Sequence, residues 1–157
     1  MNIYVAASFC YEDKDKTSQR KYLIEQTVKR IQNKLKGNYY IPHKLTIPNA
    51  WDISLEEWSN AVYQHDMEAL HDAHIVIFLS FGKENNAGSV WEIGYVAGKN
   101  SMKLSFDEQK IIMVKMTDET ESLMVTNSVH AIIKESEIEE YDWTSLPEYK
   151  TGVSKIS

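Results

Sequence analysis

Apolar residues in this chain fall into short runs separated by longer segments with helical spacing. Four runs predict strands, over residues 3–9, 39–41, 75–79 and 111–116. The third run reads Ile-Val-Ile-Phe-Leu without a polar residue, which is typical of a strand covered on both faces. A fifth strand, at an edge of the sheet, is predicted over residues 129–133.

Three helices are predicted between these runs. Thr17 or Ser18 is the expected cap of the first, which carries one apolar stripe and ends before Gly37. Ser54 starts a capping-box pattern for the second helix, because a glutamate follows three residues later. The third helix is expected to begin near Ser89 and to be followed by an exposed polar loop over residues 98–110.

This alternation of strands and helices predicts an α/β fold. Strands joined through helices form a mostly parallel, doubly wound sheet with five strands and helices on both faces, in which ligands bind beyond the carboxyl ends of the strands. A length of 157 residues with 43% hydrophobic content supports one core. We therefore expect a single domain over residues 1–146 and a loosely ordered tail over residues 147–157.

Composition narrows the class of partner. A formal net charge of -6 disfavours binding to nucleic acid or to an anionic membrane, and no apolar run approaches the roughly 20 residues of a membrane span. The first residues lack the pattern of a signal peptide, and a single cysteine excludes an intrachain disulfide. These features predict a cytoplasmic protein with a small-molecule partner.

Asp66 is the first candidate for chemistry. It lies on the apolar stripe of the second helix, where a charged group is costly unless it has a partner. One interpretation is a residue at the edge of the stripe, bonded to a nearby tyrosine or histidine. The other is a carboxylate that faces a cleft with a pKa tuned for function.

Glu92 is the second candidate, because it follows the buried strand at the place where a ligand is expected. Ser89 and Glu92 also fit a capping box, in which the glutamate only bonds backbone N–H groups. Against that, Gly88 allows close backbone approach, and a helix N-terminus stabilises the ionised carboxylate that a nucleophile needs. Both interpretations stay open on the residues alone.

Three stretches around these candidates form a further pattern: Glu57-Trp58, Tyr63-Gln64-His65-Asp66 and the eight residues from Gly88 to Tyr95. In order and in spacing, these stretches resemble the nucleoside 2-deoxyribosyltransferase family. The opening from Ile3 to Phe9 and the segment Ser122-Leu123-Met124 are also similar. The resemblance spans roughly residues 3–135, and it implies a flavodoxin-like form of the fold predicted above.

What the resemblance implies is transfer of 2-deoxyribose between nucleobases. Glu92 would attack the anomeric carbon and form a covalent deoxyribosyl-enzyme, which a second base or water resolves. Asp66 would hold the nucleophile and the sugar, with no metal or organic cofactor. The implied partners are deoxynucleosides and nucleobases.

The resemblance also implies a substrate pocket built from two subunits. Tyr4, Trp58 and Phe9 would line it, with Gly88 and Ser89 at the start of the third helix. Ser122 and Met124 would come from a neighbouring subunit and close the 5′ end of the sugar. A homo-oligomer, either a dimer or a hexamer, is therefore expected.

Two departures from the family pattern leave alternatives open. Asn86 stands where many members have an aspartate that contacts and helps protonate the base, so base preference is expected to shift. Ser122 replaces an asparagine and is similar to the serine of the related 2-deoxynucleoside 5′-monophosphate N-glycosidases, which are hydrolases. The alternatives are therefore hydrolysis of a monophosphate and a binding module without turnover.

Overall fold

Five parallel strands form one sheet in the computed structural model, which describes residues 1–102 and 107–147. The strands are β1 (Asn2–Ala6), β2 (Asn38–Tyr40), β3 (Ile75–Ser80), β4 (Lys110–Lys115) and β5 (Ala131–Lys134). Their order in the sheet is β2-β1-β3-β4-β5, and every neighbouring pair is parallel. This is the flavodoxin-like order, so the predicted fold class is confirmed, including the edge strand β5.

Helices cover both faces of the sheet. They are α1 (Lys14–Lys34), α2 (Leu55–Asp72), α3 (Ala87–Met102) and the short α4 (Leu123–Ser128). Side chains alternate between the faces along each strand, so Ile3 and Val5 pack with α1, whereas Tyr4 and Ala6 pack with α2 and α3. All six residues of β3 are buried, as the continuous apolar run predicts.

The C-terminal segment completes the face that α1 covers. Ile138 and Trp143 are buried in the same cluster as the α1 stripe, and the indole N–H of Trp143 donates to the carbonyl oxygen of Ile138 at 2.9 Å. The chain therefore contributes to the core almost to the end of the predicted domain. Of the predicted tail over residues 147–157, all but the first residue lies outside the described residues.

The cap of α1 differs from the prediction. Asp13, rather than Thr17 or Ser18, caps the helix, and its carboxylate accepts from the N–H groups of Asp15 and Lys16. The hydroxyl of Thr17 instead accepts from the N–H of Tyr11 at 2.9 Å and so supports the loop before the helix. Three candidate caps lie within one turn and a half, and only the fold of the preceding loop selects among them.

The predicted loop over residues 98–110 is largely helical or buried where the structure describes it. Helix α3 continues to Met102, and Asn100 exchanges hydrogen bonds with the backbone of Gln109. The buried amide of Gln109 also donates to the carbonyl oxygens of Leu70 and Ala73. Polar residues here satisfy buried backbone groups, which composition alone does not reveal.

Within the described ranges, no helix combines the length and apolar character that crossing a membrane requires.

Candidate active site

The site lies where the connections from adjacent strands diverge. β1 and β3 are neighbours in the sheet, and the chain leaves them towards α1 on one face and α3 on the other. In open α/β sheets this switch point opens a crevice at the carboxyl ends of the strands. The loop that follows β1 and the start of α3 meet there, since the hydroxyls of Ser8 and Ser89 are 3.0 Å apart.

Glu92 is held by a tyrosine of the sheet. It lies in the second turn of α3, and its Oε1 accepts a 2.7 Å hydrogen bond from the hydroxyl of Tyr4, a side chain with no exposed surface. Ser89 does not cap the helix, because α3 begins at Ala87 and the Ser89 hydroxyl pairs with Ser8. The capping-box interpretation of Glu92 is therefore wrong.

Asp66, on α2, is also held by a tyrosine of the sheet. Its Oδ1 accepts a 2.7 Å hydrogen bond from the hydroxyl of Tyr40 on β2. Tyr4 and Tyr40 are partners in the parallel register of β1 and β2, and their rings stack at 5.5 Å with an angle of 16°. Asp66 is thus both bonded to a tyrosine and close enough to Glu92 to affect its charge.

Burial controls the protonation of both carboxyls. It raises the pKa of Glu92 to about 7, and the nearby charge of Asp66 acts in the same direction, whereas the Tyr4 hydrogen bond opposes them. Burial also raises the pKa of Asp66, against the Tyr40 hydrogen bond. The stabilisation of an ionised Glu92 by the helix N-terminus, expected from the sequence, is outweighed by burial, because the residue lies beyond the first turn of α3.

The two tyrosines remain hydrogen-bond donors. Burial, followed by the neighbouring carboxylates, raises the pKa of Tyr4 and of Tyr40 well above the ordinary value. Each phenol therefore keeps its proton at neutral pH and can only donate to the carboxylate beside it.

Two cavities meet at this carboxylate pair. Both are lined by Asp66, Gly88 and Glu92. The larger, about 380 Å³, extends under the loop after β1 and is lined also by Ala7, Ser8, Phe9, Cys10, Pro42, Val62, Asn85 and Ser89. The smaller, about 270 Å³, is more apolar and is lined also by Tyr4, Tyr63, Met67, Leu70 and Trp91. A ligand with a polar and an aromatic part could contact both carboxylates at once.

Six of the ten predicted site residues come together in these cavities. They are Tyr4, Phe9, Asp66, Gly88, Ser89 and Glu92. Phe9 packs edge-on against His43, with ring centroids 5.4 Å apart, and its ring forms part of the larger cavity wall.

The other four predicted residues lie elsewhere in the single chain. Trp58 is 41% exposed on α2 and lines neither cavity. Asn86 turns its amide to the carboxylate of Glu121, at 3.2 Å. Ser122 caps α4, and the side chain of Met124 is 83% exposed on the surface.

Tyr40 and Ser8 are site residues that sequence reasoning missed. β2 has only three residues and no clear alternation, so nothing in its pattern marks Tyr40 as facing Asp66. The signal that could have identified Tyr40 is the pairing of the first two strands. Their parallel register places Tyr40 beside Tyr4.

Within the residues that the structure describes, no group of three or more His, Cys, Asp or Glu side chains is placed to hold a metal ion.

A family model described as nucleoside 2-deoxyribosyltransferase matches residues 3–132 of the sequence. The chain belongs to this family. The match covers the strands and helices that supply Tyr4, Asp66 and Glu92. A search of curated proteins found no match.

Solved structures support the fold of this family member. One similar structure is the 2-deoxyribosyltransferase of the psychrotolerant bacterium Bacillus psychrosaccharolyticus, with a TM-score of 0.72 and 22% identity over 94% of this chain and 96% of that chain. Another is a conserved protein from Enterococcus faecalis V583, with a TM-score of 0.56 and 14% identity over 89% of this chain and 96% of that chain. At these identities the likeness concerns the fold.

Proposed function

We propose that this chain is a nucleoside 2-deoxyribosyltransferase that works through a covalent deoxyribosyl-Glu92 intermediate. The observation that carries the proposal is the position of the Glu92 carboxylate, which Tyr4 holds at the wall shared by two cavities, beside Asp66. A carboxylate fixed next to an open cavity is arranged for attack on a ligand atom rather than for structural support.

In the first half of the reaction, an oxygen of Glu92 forms a bond to C1′ while the bond from C1′ to the base nitrogen breaks. The electron pair of that bond stays on the base nitrogen, which takes up a proton. In the second half, a nitrogen of another base attacks C1′ and loses its proton to the group that protonated the first base, while the bond from C1′ to Glu92 breaks and its electron pair returns to the carboxylate. Positive charge develops on the sugar in both halves, and the adjacent carboxylates stabilise it.

Tyr4 and Asp66 adjust the nucleophile in opposite directions. The Tyr4 hydrogen bond favours the ionised form of Glu92, whereas the charge of Asp66 favours the protonated form. Asp66 itself has a raised pKa and lines both cavities, so it is the carboxyl suited to exchange a proton with the base or to bind the sugar hydroxyl. The proposed steps use only the carboxyl and hydroxyl groups of these residues.

We further propose that the site is completed in a homo-oligomer. Ser122 and Met124 are exposed and lie outside both cavities of their own chain, so they are free to reach a neighbouring copy. Large aromatic side chains of α2 and α3 are also exposed, namely Trp58, Tyr63 and Trp91. Exposed apolar groups of this size are typical of a subunit interface.

Base exchange on a deoxyribose makes one deoxynucleoside from another, which is a salvage reaction. The test is incubation of the protein with thymidine and adenine, and separately with deoxynucleoside 5′-monophosphates alone, followed by chromatography of the bases. Deoxyadenosine formed from thymidine supports transfer. Free base released from the monophosphate supports the N-glycosidase alternative, and binding without release of base supports a module that lacks turnover.

Glu92→Ala is the decisive variant in this assay, since turnover should fall to background while the fold is kept. Glu68→Ala is the matched control, because Glu68 is an exposed glutamate on α2. Full activity of Glu92→Ala would exclude the covalent mechanism.

A further inference from the structure

The Phe9 side chain, in the wall of the larger cavity, is contacted by two residues from other parts of the chain. His43, in the turn after β2, packs edge-on against it, with ring centroids 5.4 Å apart. The ammonium of Lys21 on α1 lies over the Phe9 ring, 5.4 Å from its centroid. An aromatic edge and a cation both favour particular orientations of a ring, so these contacts restrict how Phe9 can turn.

His43 is itself fixed by Glu25, which lies one helical turn after Lys21 on α1. The His43 side chain is only 4% exposed, and its Nε2 is 3.1 Å from Oε1 of Glu25. Burial lowers the pKa of His43 against the opposing effect of Glu25, so the imidazole is neutral at neutral pH. The hydrogen bond with His43 lowers the pKa of Glu25, and an ionised carboxylate only accepts. The proton of the ring is therefore on Nε2, and this bond sets the orientation of the imidazole.

The segment that carries His43 also reaches the site at two other points. Tyr40, three residues earlier, donates to Asp66, and Pro42, the preceding residue, lines the larger cavity. His43 adds a third connection through the ring of Phe9. The short stretch from Tyr40 to His43 thus links the sheet, one carboxylate of the pair and the cavity wall.

We propose that His43 is a positioning residue that holds the Phe9 ring as a stacking surface for the nucleobase. A flat aromatic face binds planar heterocycles of any sequence of donors and acceptors, because every base has a π-face. The location of the base against Phe9 rests on the proposed function. The role of His43 concerns binding of the base and can be measured without turnover.

The experiment measures the dissociation constant of adenine by calorimetry for the whole protein and for variants whose fold circular dichroism has verified. Phe9→Leu should raise this constant at least about tenfold, because the stacking surface is lost. His43→Leu should raise it about fivefold, because the Phe9 ring remains but can turn. The double variant F9L/H43L should bind within about twofold of Phe9→Leu, since His43 acts only through Phe9.

Lys44→Ala is the matched control. Lys44 also pairs with Glu25, at 3.6 Å, but the cation over the Phe9 ring is that of Lys21. It should keep the native affinity. If His43→Leu does not fold, His43→Gln takes its place, because the amide can still donate to Glu25 but has no ring to pack on Phe9. It should show the same loss of affinity.

The transfer assay supplies a second readout. His43→Leu should raise the KM for adenine about fivefold and change kcat by less than about twofold, because Glu92 and Asp66 keep their own tyrosines. A fall in kcat at constant KM would contradict a role in binding the base.

The proposal is overturned if the native protein does not bind adenine, if the folded His43 variant keeps the native affinity, if the effects of Phe9→Leu and His43→Leu multiply in the double variant, or if Lys44→Ala loses affinity equally. Transfer is scored separately. Absent turnover with His43-dependent binding of adenine rejects only the proposed reaction, whereas transfer with unchanged affinity in the His43 variant rejects only this inference.

Discussion

The rings of Tyr4 and Tyr40 stack on neighbouring strands, and the two hydroxyls donate to different carboxylates, Glu92 and Asp66. The parallel register of β1 and β2 fixes this pair, and the helices α3 and α2 bring the acids to it. The relative placement of the two carboxylates is thus tied to the register of two paired strands. This relationship determines how each acid should respond to pH and to substitution.

The first prediction concerns the pH dependence of the native protein. The proposed nucleophile, Glu92, must be ionised to attack, and its pKa is raised to about 7. We therefore expect kcat/KM for deoxyribosyl transfer to rise with pH and to level off above an inflection near 7. A profile without any inflection between about pH 5.5 and about pH 8.5 would exclude Glu92 as the titrating nucleophile.

The second prediction is that two variants move this inflection in opposite directions. Tyr4→Phe removes a hydrogen bond that lowers the pKa of Glu92, so the inflection should move to higher pH. Asp66→Asn removes a negative charge that raises the same pKa, so the inflection should move to lower pH. The measurement is the residual kcat/KM as a function of pH. Shifts of the same sign in both variants would contradict the assigned interactions.

The third prediction links Glu92 to stability. Its pKa is about 7 in the folded protein against an ordinary 4.5, so the folded state holds the proton more tightly. The stabilisation is complete below about pH 4.5 and is lost as pH rises through about 7. Glu92→Gln cannot ionise and should be more stable than the native protein at pH 8, by at most about 3 kcal/mol. Urea unfolding at pH 8 and pH 5 checks this, with Glu68→Gln as the control that should show no such difference.

The fourth prediction uses adjacent tyrosines as a matched pair. Tyr40→Phe removes the hydrogen bond to Asp66, whereas Tyr39→Phe removes a 2.8 Å bond to the carbonyl oxygen of Leu35 on the other face of the sheet. Each should lower the free energy of unfolding by about 1 kcal/mol. Only Tyr40→Phe should lower kcat/KM. Equal kinetic effects would show that Asp66 does not need its tyrosine.

The fifth prediction tests whether the site is shared between subunits. Met124→Ala and Glu92→Ala should each be impaired when pure, because each removes a different part of every site. When equal amounts are mixed and allowed to reassemble as dimers, about a quarter of the sites should regain both native residues. Activity well above the sum of the separate variants supports sharing. No gain after verified subunit exchange would show that each chain acts alone.

The site was predicted unevenly, for physical reasons. Asp66 stood out because a charge on an apolar stripe is costly without a partner, and Glu92 because it follows the buried strand at the place where a ligand is expected. The identity of those partners, Tyr4 and Tyr40, depends on strand register. The contact between Glu121 and Asn86 could not be predicted from the sequence. It joins two loops, and the two residues are 35 positions apart in the chain.

The local pattern of apolar residues determined the strands, the class of the fold and the end of the sheet where a site was to be expected. This was possible because the spacing of apolar residues that is typical of a helix or of a strand can be read within each segment of the sequence. The cap of α1, the length of α3, the protonation of Glu92 and the orientation of the Asn86 amide were decided only in the folded molecule. Each depends on which groups meet across the chain and on how much water they lose, and neither quantity is encoded in any one segment.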